Sequence, residues 1–346
     1  MRAIVYEAFD GPLEVRDVPA PTPTPDGAVV RVEASGLCRS DWHGWRGHDP
    51  DVEVPHVPGH EFAGVVETVG PYVRGWSPGA RVTTPFVCGC GRCAACQRGQ
   101  HQVCVAQTQP GFTHWGSFAE YVLVEHADVN LVALPDELSA VTAASLGCRY
   151  ATAWRAVVQQ GDVAPGEWVA VYGCGGVGLS AVQIAVAAGA RVVAVDVSAD
   201  ALALARELGA DVGVDAAAVD SAADAVREHT GGGAHLSLDA LGSAQTCASS
   251  IESLRTQGRH VQVGLLPRVA GAPTVPMDVV IARELVVLGS HGLAAHAYPQ
   301  RLAAVTAGRL RPDLLVRRTV TLAEACTALP ALGDAPAAGV TVVDSF

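Results

Sequence analysis

The 346-residue sequence is poor in basic charge, in long apolar runs and in aromatic rings. Only 23 basic residues face 35 acidic ones, for a formal net charge of −12 and an isoelectric point near 5.4. A chain of that sign repels phosphate, which excludes nucleic acid as the expected partner. Although 49% of the residues are hydrophobic, no apolar run reaches the ~20 residues that span a bilayer. The opening MRAIVYEAFDGPLEV has no apolar signal core, so the expected location is cytoplasmic, with no membrane partner. The chain is also longer than one ordinary core, which makes two domains the expectation.

Cysteine is abundant in one place. Of ten cysteines, five fall in residues 88–104, CGCGRCAACQRGQHQVC. Cytoplasmic thiols stay reduced, so a tight cluster points to metal rather than to disulfides. Cys90, Cys93, Cys96 and Cys104 are spaced C-x2-C-x2-C-x7-C in a glycine-containing stretch. Four thiolates at that spacing can close a tetrahedral zinc shell with no position left for substrate, which is a structural site. The alternatives are unliganded thiols or a redox pair, although a redox C-x-x-C needs two cysteines at a helix start. Cys88 receives no role.

The first third of the chain reads as short strands, MRAIVY, PLEVRDV and AVVRVEASG, with the proline run PAPTPTP as an exposed connector. Glycine and proline punctuation onward from there suggests a closed or nearly closed all-β unit. From about residue 150 apolar strands alternate with alanine-rich helices: WVAVYG, VGLSAVQIAVAAG, RVVAVDV, ADALALARELGA, then HLSLDAL, RHVQVGL and LVVLGS. Continuous apolar strands between helices predict a parallel sheet covered on both faces.

Chemistry is expected in GLCRSDWHGWRGH, VPGHEFAGVV and SLGCRYATAW, which contain Cys38, the pair His60-Glu61, and Cys148. Two thiolates and one imidazole form a catalytic zinc set that leaves one position open, and the metal then acts as a Lewis acid on a bound oxygen. Taken singly, each of these residues reads better as a buried core cysteine or histidine; together with the adjoining motifs the zinc reading prevails. In VAVYGCGGVGLSAVQIAVAAG, Gly173, Gly175 and Gly178 make G-x-G-x-x-G directly after a strand and before a helix. Gly173, Gly175, Gly176, Val177 and Gly178 are therefore the expected pyrophosphate turn. Asp196 ends the next strand, where a carboxylate binds the adenosine ribose and repels a 2′-phosphate, favouring NAD over NADP. Its alternative reading is a helix cap.

With these motifs the chain resembles the zinc-dependent medium-chain alcohol dehydrogenases over essentially its whole length. GHEFAGVV, the cysteine loop, GSFAEYV and GCGGVG occur in the order and spacing of that family. The resemblance implies an α/β fold, with a GroES-like β-rich catalytic domain (1–149 and 291–346) interrupted by a Rossmann doubly wound parallel sheet (150–290). It places the active site in the cleft between them. It also implies two zinc ions per chain, NAD, a small alcohol or aldehyde substrate, and a homo-oligomer, dimer or tetramer. By the same resemblance Cys38, His60 and Cys148 bind the catalytic zinc, and Glu61 sits beside it as a transient further ligand. Asp41 orients His60, Ser40 and His43 carry the alcohol proton to solvent, and Arg39 meets the pyrophosphate. Thr152 touches the nicotinamide, and backbone near Val263 and Ser290 holds its carboxamide. Cysteine at 148 resembles the alcohol dehydrogenases proper, whereas relatives acting on polyols or threonine often carry a carboxylate there. Polyols, amino alcohols and formaldehyde adducts are thus the alternative substrates, and a non-catalytic nucleotide-binding zinc protein is the alternative of another class.

Two departures stand out. Ala201 occupies a position where many NAD-using relatives carry a lysine, and Gly339 or Val340 one where a second arginine meets the pyrophosphate. Trp42, Trp45, Phe86, Trp115 and Phe118 fall in segments that approach the zinc in that family. They predict an apolar pocket, unless most of them fill the β core.

Overall fold

The computed structural model describes residues 1–266, 274–333 and 338–346. The chain divides into two compact units, Met1–Ala151 with Gly292–Phe346, and Thr152–His291.

The first unit is built on strands. β1 (Arg2–Val5) and β2 (Glu14–Asp17) pair as an antiparallel ribbon. β3 (Ala28–Leu37), β4 (Phe62–Val69), β5 (Arg81–Thr83), β6 (Tyr121–Val124) and β7 (Val132–Ala133) enter one larger sheet. The ten-residue β3 is its hub. It pairs with β4 along one edge and with β6 through Ala28–Arg31 on the other. Ala28, Val30 and Val32 share one face of β3 and pack with Phe62, Val66 and Val122, while exposed Arg31 and half-buried Glu33 lie on the other. The end of β3 leads directly into Cys38 and the helix Arg39–Trp45.

The second unit is a six-stranded parallel sheet. Its strands are β8 (Trp168–Tyr172), β9 (Arg191–Asp196), β10 (Val212–Asp215), β11 (Ala234–Asp239), β12 (Leu254–Gln262) and β13 (Val286–Gly289). They run in the order β10-β9-β8-β11-β12-β13, every pairing parallel. That order is the doubly wound dinucleotide-binding arrangement, with its crevice at the carboxyl ends of the strands. β8 is buried at every position, which is why it reads as an unbroken apolar run. Serine starts three of the helices: Ser198, Ser221 and Ser243 accept hydrogen bonds from the amides of Ala201, Asp224 and Thr246.

The chain then returns to the first unit, where β14 (Val316–Thr321) and β15 (Val340–Ser345) complete the sheet β14-β15-β3-β4-β5-β7. Among the described residues no pairing joins β14 to β7, so the sheet keeps two open edges. No helix among them is long and apolar enough to cross a membrane.

Candidate functional site

In the first unit the thiol sulfurs of Cys38 and Cys148 and a ring nitrogen of His60 lie within 4.8 Å of one another, all three residues buried. Cys38 is the residue before the helix Arg39–Trp45, and its amide donates to Asp41 Oδ2 at 3.0 Å. Asp41 Oδ1 accepts from Gly59 N at 3.0 Å and from His60 Nδ1 at 2.7 Å. This fixes the His60 tautomer and aims Nε2 into the cluster. Buried Nε2 has no hydrogen-bond partner. A hydrogen bond from Cys148 holds the Cys38 thiol well below its ordinary pKa and drives Cys148 well above it. Two thiol sulfurs and an imidazole nitrogen, all buried at this spacing, fit a zinc ion, whose charge would hold both sulfurs as thiolates.

Behind the cluster lies a second charged pair that the sequence pattern did not reveal. Glu61 Oε1 accepts the amides of Cys148 at 2.9 Å and Arg149 at 2.8 Å, while Oε2 meets the Arg149 guanidinium. Arg149 also donates to Leu37 O at 2.9 Å. Burial raises the Glu61 pKa, and Arg149 opposes that rise. Glu61 is therefore engaged with the peptide that carries Cys148, and the three-residue ligand cluster does not include it.

Tyr298 and Arg301 support the same segment from another side. Leu146–Tyr150 is a wide helical turn of the π type. Tyr298 OH donates to Gly147 O at 3.1 Å and Arg301 Nη1 to Leu146 O at 3.0 Å. The guanidinium also lies 3.8 Å from the Tyr298 ring centre, and both residues are fully buried.

Cys90, Cys93, Cys96 and Cys104 form the other cluster, again with ligand atoms within 4.8 Å. Backbone amides point at these sulfurs: Cys90 N and Ala106 N each reach Cys104 Sγ at 3.3 Å, and Cys96 N reaches Cys93 Sγ at 3.5 Å. Such amides favour thiolate, and Cys93 is pulled down to about 6 by those of Cys96 and Val105. The four donors fit a closed zinc shell. Asn130, the chain's one asparagine, ties the loop to the body by accepting from Gly89 N at 2.8 Å and donating to Gly89 O at 3.0 Å. Cys88 stands apart, buried against Thr84 Oγ1 at 3.5 Å.

Among the aromatic residues, Trp45 and Phe118 lie in the core with Ile4, Tyr6 and Leu13, and Trp115 packs beside Ala3 and Val57. Trp42 rests on the same core as Trp45. The rings that approach His60 are Phe112 at 5.2 Å and Phe86 at 6.2 Å. Phe112 was not singled out by its sequence context.

In the second unit Gly175 precedes the helix Gly176–Ala187, which also contains Val177 and Gly178. A Cβ on Gly178 would sit 1.8 Å from Gly173 O, whereas one on Gly175 would meet nothing within 4 Å. The first fact forces the tight turn, and the second leaves open space before a helix N-terminus, as a pyrophosphate requires. Asp196 ends β9 with Oδ2 accepting from Cys174 N at 2.6 Å and Oδ1 from Ser198 N at 2.9 Å. Cys174 thus contributes its amide to fixing the acid. Val263 follows β12, and Ser290 follows β13 with its hydroxyl buried and without a hydrogen-bond partner. Thr152 is buried and Arg39 exposed. Ala201 is buried in the helix Ala199–Glu207, and Gly339 has φ +91° with Arg317 Cγ 2.4 Å from where its Cβ would stand.

Thiolate and imidazole donors with a place left for another ligand, on a chain that also carries a dinucleotide turn, mark a zinc dehydrogenase as a class. Comparison with known proteins narrows this. Residues 24–136 match the alcohol dehydrogenase GroES-like domain and residues 176–307 the zinc-binding dehydrogenase domain. An alcohol dehydrogenase of Geobacillus stearothermophilus is 40% identical over 269 residues, 77% of this chain and 78% of that protein. An NAD-dependent alcohol dehydrogenase of Sulfurisphaera tokodaii is 33% identical across 99% of both. The solved alcohol dehydrogenase of Thermus sp. ATN1 superposes over 100% of both chains with a TM-score of 0.90 and 34% identity. The chain belongs to the zinc-dependent medium-chain alcohol dehydrogenase family.

Proposed function

We propose that this protein interconverts apolar primary alcohols and their aldehydes with NAD. The observation that carries the reading is the Cys38–His60–Cys148 cluster, three buried donor atoms within 4.8 Å of one another, with His60 Nε2 making no hydrogen bond. Zinc held there supplies a Lewis acid with one open position, and NAD supplies the hydride acceptor.

The remaining work falls to side chains of the chain itself. Asp41 holds His60 in the ligating tautomer, and Glu61 with Arg149 fixes the peptide of Cys148. Ser40 and His43, three residues apart on one helix, share a face and can pass the hydroxyl proton outward. Burial, with the Arg39 guanidinium nearby, keeps the His43 pKa below its ordinary value, which favours the free base. Phe86 and Phe112 beside His60 favour an apolar substrate body, because a polyol would leave hydroxyls unpaired against them at roughly 1–3 kcal/mol each.

NAD would be held by the turn Gly173–Gly178, by Asp196 on the adenosine ribose, and by Arg39, Thr152, Val263 and Ser290 along the rest of the molecule. A homo-oligomer is supported by β13, which ends its sheet among the described residues with Val286 and Val287 exposed. Ten free cysteines suit the reducing cytoplasm.

The test is a panel of alcohols and aldehydes followed by NADH fluorescence, with zinc measured on the same sample. Benzylic or medium-chain alcohols should exceed sorbitol, glycerol and threonine in kcat/KM. A zinc-replete sample that turns over no alcohol with NAD would overturn the reading.

A further inference from the structure

The turn after the helix Arg39–Trp45 brings a second imidazole back onto His43. Gly47 has φ +70°, the left-handed conformation that glycine adopts at little cost. That turn lets His48 N donate to His43 O at 2.9 Å and brings the two Nδ1 atoms to 3.0 Å. At that distance one nitrogen carries the proton and the other accepts it. Trp42 fixes both rings edge-on, 4.8 Å from His43 and 5.7 Å from His48. Trp42 is itself flanked by the guanidinium groups of Arg39 at 5.6 Å and Arg46 at 5.5 Å. His43 is half-buried, whereas His48 is exposed. The pair therefore leads from a sheltered nitrogen to water through one hydrogen bond.

We propose that His48 is the solvent-side member of the proton relay, receiving the substrate proton from His43 and releasing it to water. The inference rests on the alcohol-oxidising role given to His43 above. The alcohol O–H bond breaks and its proton goes to the Ser40 oxygen, which gives its own hydroxyl proton to His43 Nε2. The His43 Nδ1–H bond then breaks as a bond forms to His48 Nδ1, and His48 Nε2 loses its proton to water or buffer. One proton leaves the alcohol and one enters solvent, while the electron pair of the O–H bond stays on the substrate oxygen. Rotation of the rings and exchange of the exposed His48 with water restore the starting tautomers. The charged and titratable groups facing His43 are His48, Arg39 and Cys38.

The experiment compares His48→Gln and His43→Gln in the zinc-loaded enzyme, measuring kcat and KM for alcohol oxidation between pH 6 and 9. NMR titration of His43 in the free protein supplies a readout apart from turnover. A complete general base contributes ~100-fold or more, and the outer member of a relay less. His48→Gln is expected to lower kcat by about tenfold below pH 8 with KM little changed, and added imidazole should restore the rate. The His43 titration should also shift once the hydrogen-bond partner of its Nδ1 is gone. Wild-type kcat and an unmoved His43 titration in His48→Gln would overturn the role of His48 while leaving the alcohol dehydrogenase reading intact. Normal kcat in His43→Gln as well would overturn the relay on which the inference rests.

Discussion

Arg149 and Glu61 form an ion pair from which water is nearly excluded, the guanidinium side chain 8% exposed and the carboxylate 0%. The pair lies behind Cys148, whose amide donates to the same carboxylate. Losing one member strands the other's charge in the protein interior, at a cost of about 3–5 kcal/mol. Arg149→Met should therefore lower the urea midpoint and release zinc to a chelator faster than wild type. Adding Glu61→Gln should recover part of the stability. An unchanged midpoint in the single variant would show that the pair contributes nothing.

Much of the metal chemistry was legible because it is written locally. C-x2-C-x2-C-x7-C and a glycine turn followed by a strand that ends at Asp196 specify residue type and spacing within short windows. The supports around Cys148 are not local. Tyr298 and Arg301 reach carbonyls of residues 147 and 146 across separations of 151 and 155 residues, and backbone carbonyls leave no signature in side-chain patterns. Strand β10 escaped notice because its four residues, VGVD, include a glycine and an aspartate and only Val214 is buried. The aromatic residues misled in part: Trp45 and Phe118 fill the core, since a ring gains as much by burial there as in a pocket.

The cysteine loop should be separable from catalysis. Cys93→Ser is expected to lower zinc from two per chain, one for each ligand cluster, towards one, and to reduce Tm, since metal binding there is folding free energy. Asn130→Leu should reduce Tm with zinc still bound, as it frees both polar groups of Gly89. Metal analysis and a thermal melt on each variant decide the matter. Full zinc content and an unshifted melt in Cys93→Ser would refute the structural site.

Cofactor choice should follow Asp196. Its carboxylate is already fixed by the Cys174 and Ser198 amides, and a 2′-phosphate beside it would be repelled. The chain has no lysine, which leaves arginine as the only strongly basic side chain that could receive such a phosphate. NAD should exceed NADP in kcat/KM by at least about tenfold, or ~1.4 kcal/mol. Asp196→Ser should narrow the gap without inverting it. Equal activity with NADP in the unaltered enzyme would contradict this assignment.

Stability should fall on mild acidification. Burial lowers the pKa of His56, whose Nε2 donates to Gly111 O at 2.9 Å, and of His260, which lies among Ser237, Ser250 and Gln262. As pH falls through the ordinary value of 6.5, the unfolded chain takes up these protons before the folded one. The stability they contribute is complete above that value and is lost towards the lower folded pKa. Tm should therefore decline between pH 7.5 and pH 5.5, and a flat profile across that range would show that these histidines do not stay neutral in the fold.

The most direct test of the central claim is Cys148→Ser, assayed for zinc per chain and for NAD-linked alcohol oxidation on one sample. The loss of one zinc of two, with the loop zinc retained and alcohol oxidation abolished, is the predicted result. A Cys148→Ser enzyme that kept both zinc ions and oxidised alcohol at the wild-type rate would contradict a catalytic centre built on Cys38, His60 and Cys148.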